Sequence, residues 1–368
     1  MPPGRFRLTG RRGGLEWTSM SPTNETIGNG APLALVTGAT GMIGSHLARR
    51  LLDEGWRVRA LVRAASDTAL LESWGVDLVR GDVGDAPDRL ARHVAGADYM
   101  FHCAAMVSDW APLEDMMRVN VHGTRHLAEA AVACGRLKRF VYLSSMVVFG
   151  MHPQRDFDES APRIHTGDHY NLTKIRAEEL VQQFARDRGL PVSIVRPPYL
   201  YGPRDRQFLP RVLENLKNGQ FRFVGSGRQP LSLTYVGNLV EALWLAATKP
   251  EAKGEVFLIT DGEAITRERI LEIVCEETGY PMPTRHVPRW LVRAVCPIFE
   301  GLYSLRRTAE PPLVNKFRLK FMSTPLTYSI AKARRVLGYE PKTTTEQALR
   351  QTLAWFREHR PDLLPQVK

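Results

Sequence analysis

Residues 33–44 read LALVTGATGMIG, and this stretch decides the fold of the chain. Its first four residues are wholly apolar, as in a strand that a parallel sheet buries on both faces. Three glycines at intervals of three follow, and Met42 to Glu54 then places its apolar residues at helical spacing. The order of strand, glycine-rich turn and helix predicts the first unit of an α/β sheet, with a turn suited to phosphate.

The same alternation of strand and helix continues along the chain. Further strand-like apolar runs are separated by helix-like sequence and lie at Arg57–Val62, Val76–Val79, Tyr99–Cys103, Phe140–Leu143 and Pro191–Val195. Strands that alternate with helices are typical of βαβ units. We therefore predict an α/β fold with a doubly wound, parallel, Rossmann-type sheet and a smaller C-terminal α+β substrate lobe.

The chain of 368 residues is long enough for two domains. Residues 31–198 are predicted to form the NAD(P)-binding Rossmann domain, joined by returning strands and helices around residues 231–260. Residues 199–368, which are richer in turns, are expected to form mainly the substrate-binding lobe. Residues 1–30 are rich in Gly, Pro and Arg and have no apolar periodicity, so we expect a disordered leader there.

The chain carries 50 Lys and Arg against 39 Asp and Glu, a formal net charge of +11. Such an excess either attracts an anionic partner or reflects a solvated, arginine-rich surface. No platform of stacking aromatic residues accompanies it, so no nucleic-acid partner is expected. The four cysteines are too scattered for a disulfide framework, and no apolar stretch suits a signal peptide or a membrane span. A cytoplasmic protein is therefore expected.

The glycine-rich turn has the spacing Gly-x-x-Gly-x-x-Gly, which differs from the standard dinucleotide fingerprint Gly-x-Gly-x-x-Gly. Glycine permits a tight turn, the close approach of a pyrophosphate and close packing of helix on strand, and the helix N-terminus favours negative charge. A purely structural turn is the alternative. The residues expected to bind a cofactor here are Gly38, Thr40, Gly41, Met42, Ile43 and Gly44.

The end of the second strand indicates which cofactor is bound. An acidic residue at this point selects NAD through the ribose 2′-hydroxyl, whereas an arginine favours the 2′-phosphate of NADP. The strand is followed by Arg63, with no carboxylate before Asp67, so NADP(H) is favoured over NAD(H). Asp82 and Val83, after the third strand, suit the adenine edge, although Asp82 is equally typical of an ordinary turn.

Tyr170 and Lys174 form a Tyr-x-x-x-Lys pair in a predicted helix, where residues four apart share a face. A phenol with a pKa of about 10 is a poor base at neutral pH, and a neighbouring cation stabilises its phenolate. Ser145 lies 25 residues earlier, where a predicted strand ends at the ligand crevice. A serine that donates to a carbonyl oxygen, a tyrosine that gives the proton and a lysine that modulates it form a set for carbonyl reduction.

These motifs occur in one order, and over roughly residues 31–360 the chain resembles an extended short-chain dehydrogenase/reductase. The motifs in that order are TGATGMIG, GDV, HCAA, VNVHGT, FVYLSSMVVFG, YNLTK and RPPYLYGP. Within the family the chain is most similar to the 3β-hydroxysteroid/sterol dehydrogenase and dihydroflavonol-reductase-like branches. One departure is Gly237, where related sequences usually have the aspartate of Tyr-Val-Asp-Asn, and it leaves the subfamily open but not the chemistry.

The resemblance implies roles for further residues. The catalytic serine of the family corresponds to Ser145 rather than Ser144, and Lys174 would also bond the nicotinamide ribose. Asn120 would hold the central helix against the sheet. The residues implied to line the cofactor are Ala104, Ala105 and Pro197, the last beside the nicotinamide. A homodimer is common in the family and is possible here.

Several residues are expected to face the substrate, and their methionine and tryptophan side chains suit a broad apolar ligand. They are Met106, Ser108, Trp110, Met146 and Tyr199. Ordinary core packing is the alternative explanation for them. The spacing of His102, His165 and His169 matches no ligand motif, so no metal site is expected.

Residues 285–307 read RHVPRWLVRAVCPIFEGLYSLRR, an apolar stripe flanked by arginines and interrupted by Pro297. Such a segment is typical of a helix at a membrane surface, and equally of a helix pair packed over an active site. Peripheral membrane contact is therefore one of two interpretations.

These features predict an NADP(H)-dependent oxidoreductase that interconverts a secondary alcohol and a ketone on a bulky lipophilic substrate. A sterol, a related polycyclic compound or a long-chain β-keto or β-hydroxy acid would fit. The alternative is a nucleotide-sugar epimerase or dehydratase with tightly bound NAD, which has the same turn and catalytic residues, and Arg63 argues against it. A non-catalytic NADP sensor would not need Ser145, Tyr170 and Lys174 together.

Overall fold

The structure, a computed structural model, describes residues 22–28, 30–108, 110–150, 152–296, 319 and 322–365. The strands in chain order are β1 (Leu33–Thr37), β2 (Arg57–Val62), β3 (Asp77–Arg80), β4 (Tyr99–His102), β5 (Arg139–Leu143), β6 (Gln154–Phe157), β7 (Val192–Arg196), β8 (Tyr199–Tyr201), β9 (Phe223–Val224), β10 (Pro230–Tyr235), β11 (Val256–Leu258), β12 (Ala264–Thr266), β13 (His286–Val287) and β14 (Leu326–Tyr328). The α-helices with described bounds are α1 (Met42–Asp53), α2 (Ala69–Ser73), α3 (Pro87–Val94), α4 (Leu113–Met117), α5 (Gly123–Cys134), α6 (His169–Arg188), α7 (Phe208–Lys217), α8 (Val236–Thr248), α9 (Arg267–Thr278), α10 (Ala331–Leu337) and α11 (Thr345–His359). A π-helical turn, Arg118–His122, joins α4 to α5, and residues 289–296 are also helical.

Seven strands form the central sheet in the order β11-β7-β5-β4-β1-β2-β3, and every neighbouring pair is parallel. Within this sheet the chain runs from β1 outward to β2 and β3, and then returns to β4 on the other side of β1. This reversal opens a crevice at the carboxyl ends of β1 and β4, where open α/β sheets bind ligands. The predicted doubly wound Rossmann-type sheet is confirmed.

Helices cover both faces of this sheet. Along β1, Leu35 packs in the core beside α3, α5 and α6, whereas Ala34 and Val36 pack in the opposite core beside α1 and α8. Because successive side chains of a strand point to opposite faces, a strand covered on both sides needs apolar residues throughout. This explains the unbroken apolar run that opens the fold.

The second sheet has the order β12-β10-β14-β6, with β8 paired to β10. Of the segments predicted to return around residues 231–260, α8 packs on α1 and β11 joins the central sheet, but β10 belongs to the second sheet. Strand β6 lies within the predicted Rossmann range, yet it pairs with β14 near the end of the chain. The two parts of the protein are therefore interleaved along the sequence.

The chain is attached to the central sheet ahead of residue 31. The Asn24 side chain accepts a hydrogen bond from Val58 N (2.6 Å), and Asn24 N donates to Trp74 O (3.0 Å). Within the predicted leader of residues 1–30, these bonds tie Asn24 to β2 and to the residue that follows α2. Residues 1–21 and 29 lie outside the described part of the chain.

Candidate active site

The glycine-rich turn accommodates a phosphate and excludes side chains. Gly38 has a φ of +70°, and a Cβ there would lie 2.9 Å from Ala104 N, while a Cβ on Gly44 would collide with Gly38 O. The first turn of α1 has neither a side-chain cap nor an acidic residue. Its N–H groups therefore stay available to an anion. The donor set fits the pyrophosphate of a dinucleotide.

A cavity of about 1280 Å³ extends from this turn into the C-terminal lobe. Most residues predicted to bind or react line it: Gly38, Gly41, Met42, Ile43, Gly44, Ala105, Ser108, Ser145, Met146, Tyr170, Lys174, Pro197 and Tyr199. The other predicted residues lie outside its lining: Thr40, Arg63, Asp82, Val83, Ala104, Met106 and Trp110. The structure thus brings the glycine-rich turn, the predicted catalytic residues and part of the predicted substrate site into one cavity.

The three predicted adenosine-side residues lie around the ends of β2 and β3. Arg63 is exposed directly after β2. Asp82 supports its own turn, because its Oδ1 accepts a hydrogen bond from Gly84 N (2.8 Å), as the ordinary-turn interpretation predicts. Val83 is buried against Gly123, where a Cβ would lie 2.7 Å from a Val83 methyl group. Val83 therefore packs against α5.

Ala104 and Met106 support the cavity wall rather than line it. Ala104 N donates to Thr37 Oγ1 (3.1 Å). Met106 N donates to Asn120 Oδ1 (2.7 Å), and Asn120 Nδ2 donates to Met106 O (3.0 Å). Asn120 Nδ2 also donates to Thr173 Oγ1 (3.1 Å), so this asparagine ties the segment after β4 to α6. Its contacts match the holding role that the family resemblance implies.

The two serines after β5 have different partners. Ser144 is buried, and its hydroxyl donates to Glu178 Oε2 (2.7 Å). Ser145 Oγ instead accepts from Val147 N (3.2 Å), at the start of a one-turn 3₁₀ helix. Accepting this bond leaves the Ser145 proton available for donation, and the same hydroxyl lies within hydrogen-bonding reach of the Tyr170 phenol. Ser145 is therefore the serine that the geometry offers to a ligand.

Tyr170 lies in the first turn of α6, which Asp168 caps by accepting a hydrogen bond from Asn171 N (2.7 Å). Burial raises the pKa of the Tyr170 phenol, the Ser145 side chain lowers it in part, and the charge of Asp168 raises it. The phenol is therefore neutral at physiological pH and carries a proton that it can give.

Lys174 is held by the backbone of β5. It is 3% exposed, and its Nζ donates to Leu143 O (2.8 Å) and lies 5.1 Å from the centre of the Tyr142 ring. Burial lowers the pKa of Lys174 to about 8, although Cys103 and Glu178 oppose this shift. Helical spacing predicts that Lys174 acts on the tyrosine directly, whereas the lysine hydrogen bond goes to the backbone of Leu143.

His102 has a structural role between two strands and α5. Its Nδ1 lies 2.8 Å from Thr37 Oγ1 and its Nε2 lies 2.9 Å from Thr124 Oγ1. Burial, together with the charge of Lys174, lowers the pKa of His102 to about 3, so the ring is neutral. Among the described residues, no three His, Cys, Asp or Glu side chains form a group that could hold a metal ion.

Much of the cavity wall comes from residues that were not predicted from the sequence. Helix α7 contributes Phe208, Arg211, Val212 and Asn215, which follow the i, i+3, i+4, i+7 spacing of one helical face. That periodicity is a signal that could have identified them. Arg204, within the segment Tyr199–Arg206 that the sequence places near the substrate, also lines the cavity. Arg267 lines it too, and no local pattern marks this residue, because a distant segment places it there.

Comparison with known proteins decides the family. The model of the NAD dependent epimerase/dehydratase family matches residues 34–260, more than half of the chain. The chain belongs to the extended short-chain dehydrogenases/reductases. As a member of this family it is an NAD(P)-dependent dehydrogenase/reductase that acts on hydroxyl and keto groups. Both the resemblance drawn from the motifs and the predicted pyridine-nucleotide binding are confirmed.

Two relatives and one solved structure show the range of extended short-chain dehydrogenases/reductases that the chain resembles. A 4-hydroxy-2-methyl-3-oxo-4-farnesyl-3,4-dihydroquinoline-1-oxide ketoreductase of Stigmatella aurantiaca is 32% identical over 85% of this chain and 93% of its own. A 3-beta-hydroxysteroid dehydrogenase of Mycolicibacterium neoaurum is 32% identical over 88% of this chain and 91% of its own. The structure of MoeE5 in complex with UDP-glucose and NAD has a TM-score of 0.70 and 26% identity, covering 89% of this chain and 99% of MoeE5.

Proposed function

We propose that the protein is an NADP(H)-dependent oxidoreductase that interconverts a secondary alcohol and a ketone on a bulky lipophilic substrate. The observation that carries this proposal is the position of Ser145 and Tyr170 in one cavity, between the glycine-rich turn and a broad apolar wall. That wall includes Phe208, Val212, Phe221, Leu231, Ile270 and Leu271. Apolar walls with a few polar groups are typical of sites for lipophilic ligands such as sterols, other polycyclic compounds or long-chain β-keto acids.

The catalytic residues divide the work of carbonyl reduction. The bound pyridine nucleotide supplies the hydride, or accepts it in the reverse direction. Ser145 donates a hydrogen bond to the carbonyl oxygen, and Tyr170 gives that oxygen its proton. Lys174, protonated below its pKa of about 8, keeps a positive charge near the oxygen as negative charge develops there.

NADP(H) is proposed over NAD(H) because Arg63 follows β2, where an acidic residue would select NAD. Arg63→Ser is expected to raise the Kd for NADPH about 10- to 100-fold, since it removes a charge-assisted bond to the 2′-phosphate. The Kd for NADH should stay unchanged. Fluorescence titration of both nucleotides tests this, with the exposed Arg92→Ser on α3 as control. Equal weakening of both nucleotides would contradict the assignment.

A nucleotide-sugar epimerase or dehydratase is the second candidate, favoured by the likeness to MoeE5 in complex with UDP-glucose and NAD. A screen of NADPH oxidation and NADP⁺ reduction separates the two, using sterols, flavonoid-type ketones, β-keto acids and nucleotide sugars. Turnover with one of the lipophilic classes is expected. Stoichiometric NAD in the purified protein, together with turnover of a UDP-sugar, would favour the second candidate.

We further propose that a membrane surface delivers the substrate to the cavity. In the helical segment 289–296, Trp290 is 71% and Leu291 41% exposed, and Leu291 also lines the cavity. Arg285 and Arg293, close to them in the sequence, are also exposed, and arginines complement anionic headgroups. The remainder of the predicted segment, residues 297–307, lies outside the described residues. Within the described part of the chain, no helix has the length and apolarity to cross a membrane.

Trp290→Ala is expected to reduce binding to phosphatidylglycerol-containing vesicles severalfold, because it removes the most exposed aromatic anchor. Co-sedimentation measures this binding. Ile164→Ala, at another exposed apolar residue, should bind like the wild type. A wild-type protein that stays in the supernatant would refute membrane delivery.

A further inference from the structure

Arg204 lies against the glycine-rich turn from the side of the C-terminal lobe. Its Nη2 donates to Thr40 O (3.3 Å), and its side chain lines the cavity. Its Nε is buried and has no hydrogen-bond partner among the described residues. A buried donor without an acceptor costs free energy, so this arrangement favours a bound molecule that brings an acceptor.

The backbone holds Arg204 in place at a conformational cost. Its φ is +68°, in the left-handed region that residues other than glycine rarely adopt. The next residue, Asp205, is buried and accepts backbone hydrogen bonds from Gln207 (2.7 Å), Phe208 (3.1 Å) and Leu209 (2.8 Å). These three bonds fix the loop before α7. Strain that the surroundings maintain is typical of residues that position a ligand.

The charges around Arg204 also favour an anion. Burial and the neighbouring Arg206 lower the pKa of Arg204, and the charge of Asp67 only partly opposes them. No ion pair involves Arg204 within the described ranges, in contrast to the buried Arg196, which pairs with Glu178. Helix α1 begins two residues after Thr40, and its N-terminus, which no side chain caps, also favours negative charge.

We propose that Arg204 binds the pyrophosphate of the pyridine nucleotide, opposite the N–H groups of the glycine-rich turn. A guanidinium can give two parallel hydrogen bonds to phosphate oxygens, and Nε is the Arg204 donor without a partner among the described residues. The inference rests on pyridine-nucleotide binding and is independent of which substrate the protein reduces. Arg204 would thereby be a cofactor-binding residue that the C-terminal lobe supplies.

The test is the affinity of Arg204→Gln for NADPH and NADH, measured by fluorescence titration without any substrate. Both Kd values are expected to rise about 10-fold or more, by the same factor, because the two nucleotides share the pyrophosphate. Arg228→Gln removes one exposed arginine elsewhere and should leave both Kd values unchanged. An unchanged Kd in Arg204→Gln would overturn the proposal. A loss confined to NADPH would also overturn it, by placing Arg204 at the 2′-phosphate.

Two further measurements keep the test decisive if Arg204→Gln folds poorly. Arg204→Lys keeps the charge but loses the two-bond geometry, so an intermediate Kd is expected for both nucleotides. The wild type should bind ADP more tightly than AMP, and Arg204→Lys should reduce that difference. An equal preference for ADP in both proteins would count against the pyrophosphate contact. Since no assay includes a ketone, these results stay separate from the outcome of the substrate screen.

Discussion

Replacing Tyr170 with phenylalanine is expected to lower kcat by about 10²- to 10⁴-fold. The substitution removes the proton donor and keeps the ring, so the Kd for NADPH should stay unchanged. The buried phenol is neutral at physiological pH, because burial raises the pKa of Tyr170. No other group in the proposed mechanism gives a proton to the substrate oxygen. Steady-state kinetics with the substrate found in the screen, together with NADPH titration, measures both quantities.

Tyr199→Phe is the matched control, because Tyr199 is a second phenol in the cavity. It should alter KM and leave kcat near the wild-type value. A wild-type kcat in Tyr170→Phe would exclude Tyr170 as the proton donor. The pH profile adds a second readout: kcat for ketone reduction should fall as the pH rises through about 8, where Lys174 loses its charge.

Replacing Glu178 with glutamine is expected to lower the free energy of unfolding by about 3–5 kcal/mol. Glu178 is fully buried on α6 and accepts hydrogen bonds from Arg196 Nε (3.0 Å), Arg163 Nη1 (3.2 Å) and Ser144 Oγ (2.7 Å). Without its carboxylate, Arg196 keeps a buried charge that lacks a full counterion. Urea denaturation monitored by circular dichroism measures the loss.

Lowering the pH of the wild-type protein should remove the stabilisation that the Glu178 carboxylate provides. Burial raises the pKa of Glu178, but the hydrogen bonds and charge of Arg196 lower it more, so its net pKa is below the ordinary value. The stabilisation is therefore complete above the unfolded pKa of about 4.3 and is lost as the pH falls through the lower folded pKa. In Glu178→Gln, the free energy of unfolding should therefore fall less steeply as the pH is lowered. The control is Glu179→Gln, at the exposed residue next to Glu178, and its free energy of unfolding should depend on pH as in the wild type. Equal stability of the wild type and both variants would contradict the stabilising role of Glu178.

The parts of the structure that sequence reasoning anticipated are those with local causes. Burial on both faces requires the apolar run at residues 33–36, and the glycine spacing reflects the close contacts of Gly38 and Gly44. Tyr170 and Lys174 line one cavity, as expected for residues four positions apart on one helix. These patterns are visible within a few residues, so they predicted the sheet and the core of the candidate site.

Features that depend on distant segments were not predictable in the same way. Helical spacing places Lys174 on the face of Tyr170, but it does not show that Leu143 O accepts the lysine hydrogen bond. The register of β6 with β14 joins segments about 170 residues apart, and no local pattern reveals such a pairing. Arg204 reaches the glycine-rich turn from a loop in which its own backbone is strained. Hydrogen bonds to the buried Asp205, the next residue, hold that loop in place.

The position of β11 affects how the protein is made. Strand β11 covers the edge of β7, whose sequence VSIVR is buried along its length. In the chain β11 follows β6, β8 and β10 of the second sheet, so it is synthesised after them. Until residues 256–258 emerge, β7 presents an open edge, and open apolar edges promote aggregation between chains. A chain cut at residue 198 would keep that edge exposed permanently. The strand that closes the central sheet therefore comes from the C-terminal part of the chain, so residues 31–198 alone lack one strand of the sheet that holds the nucleotide site.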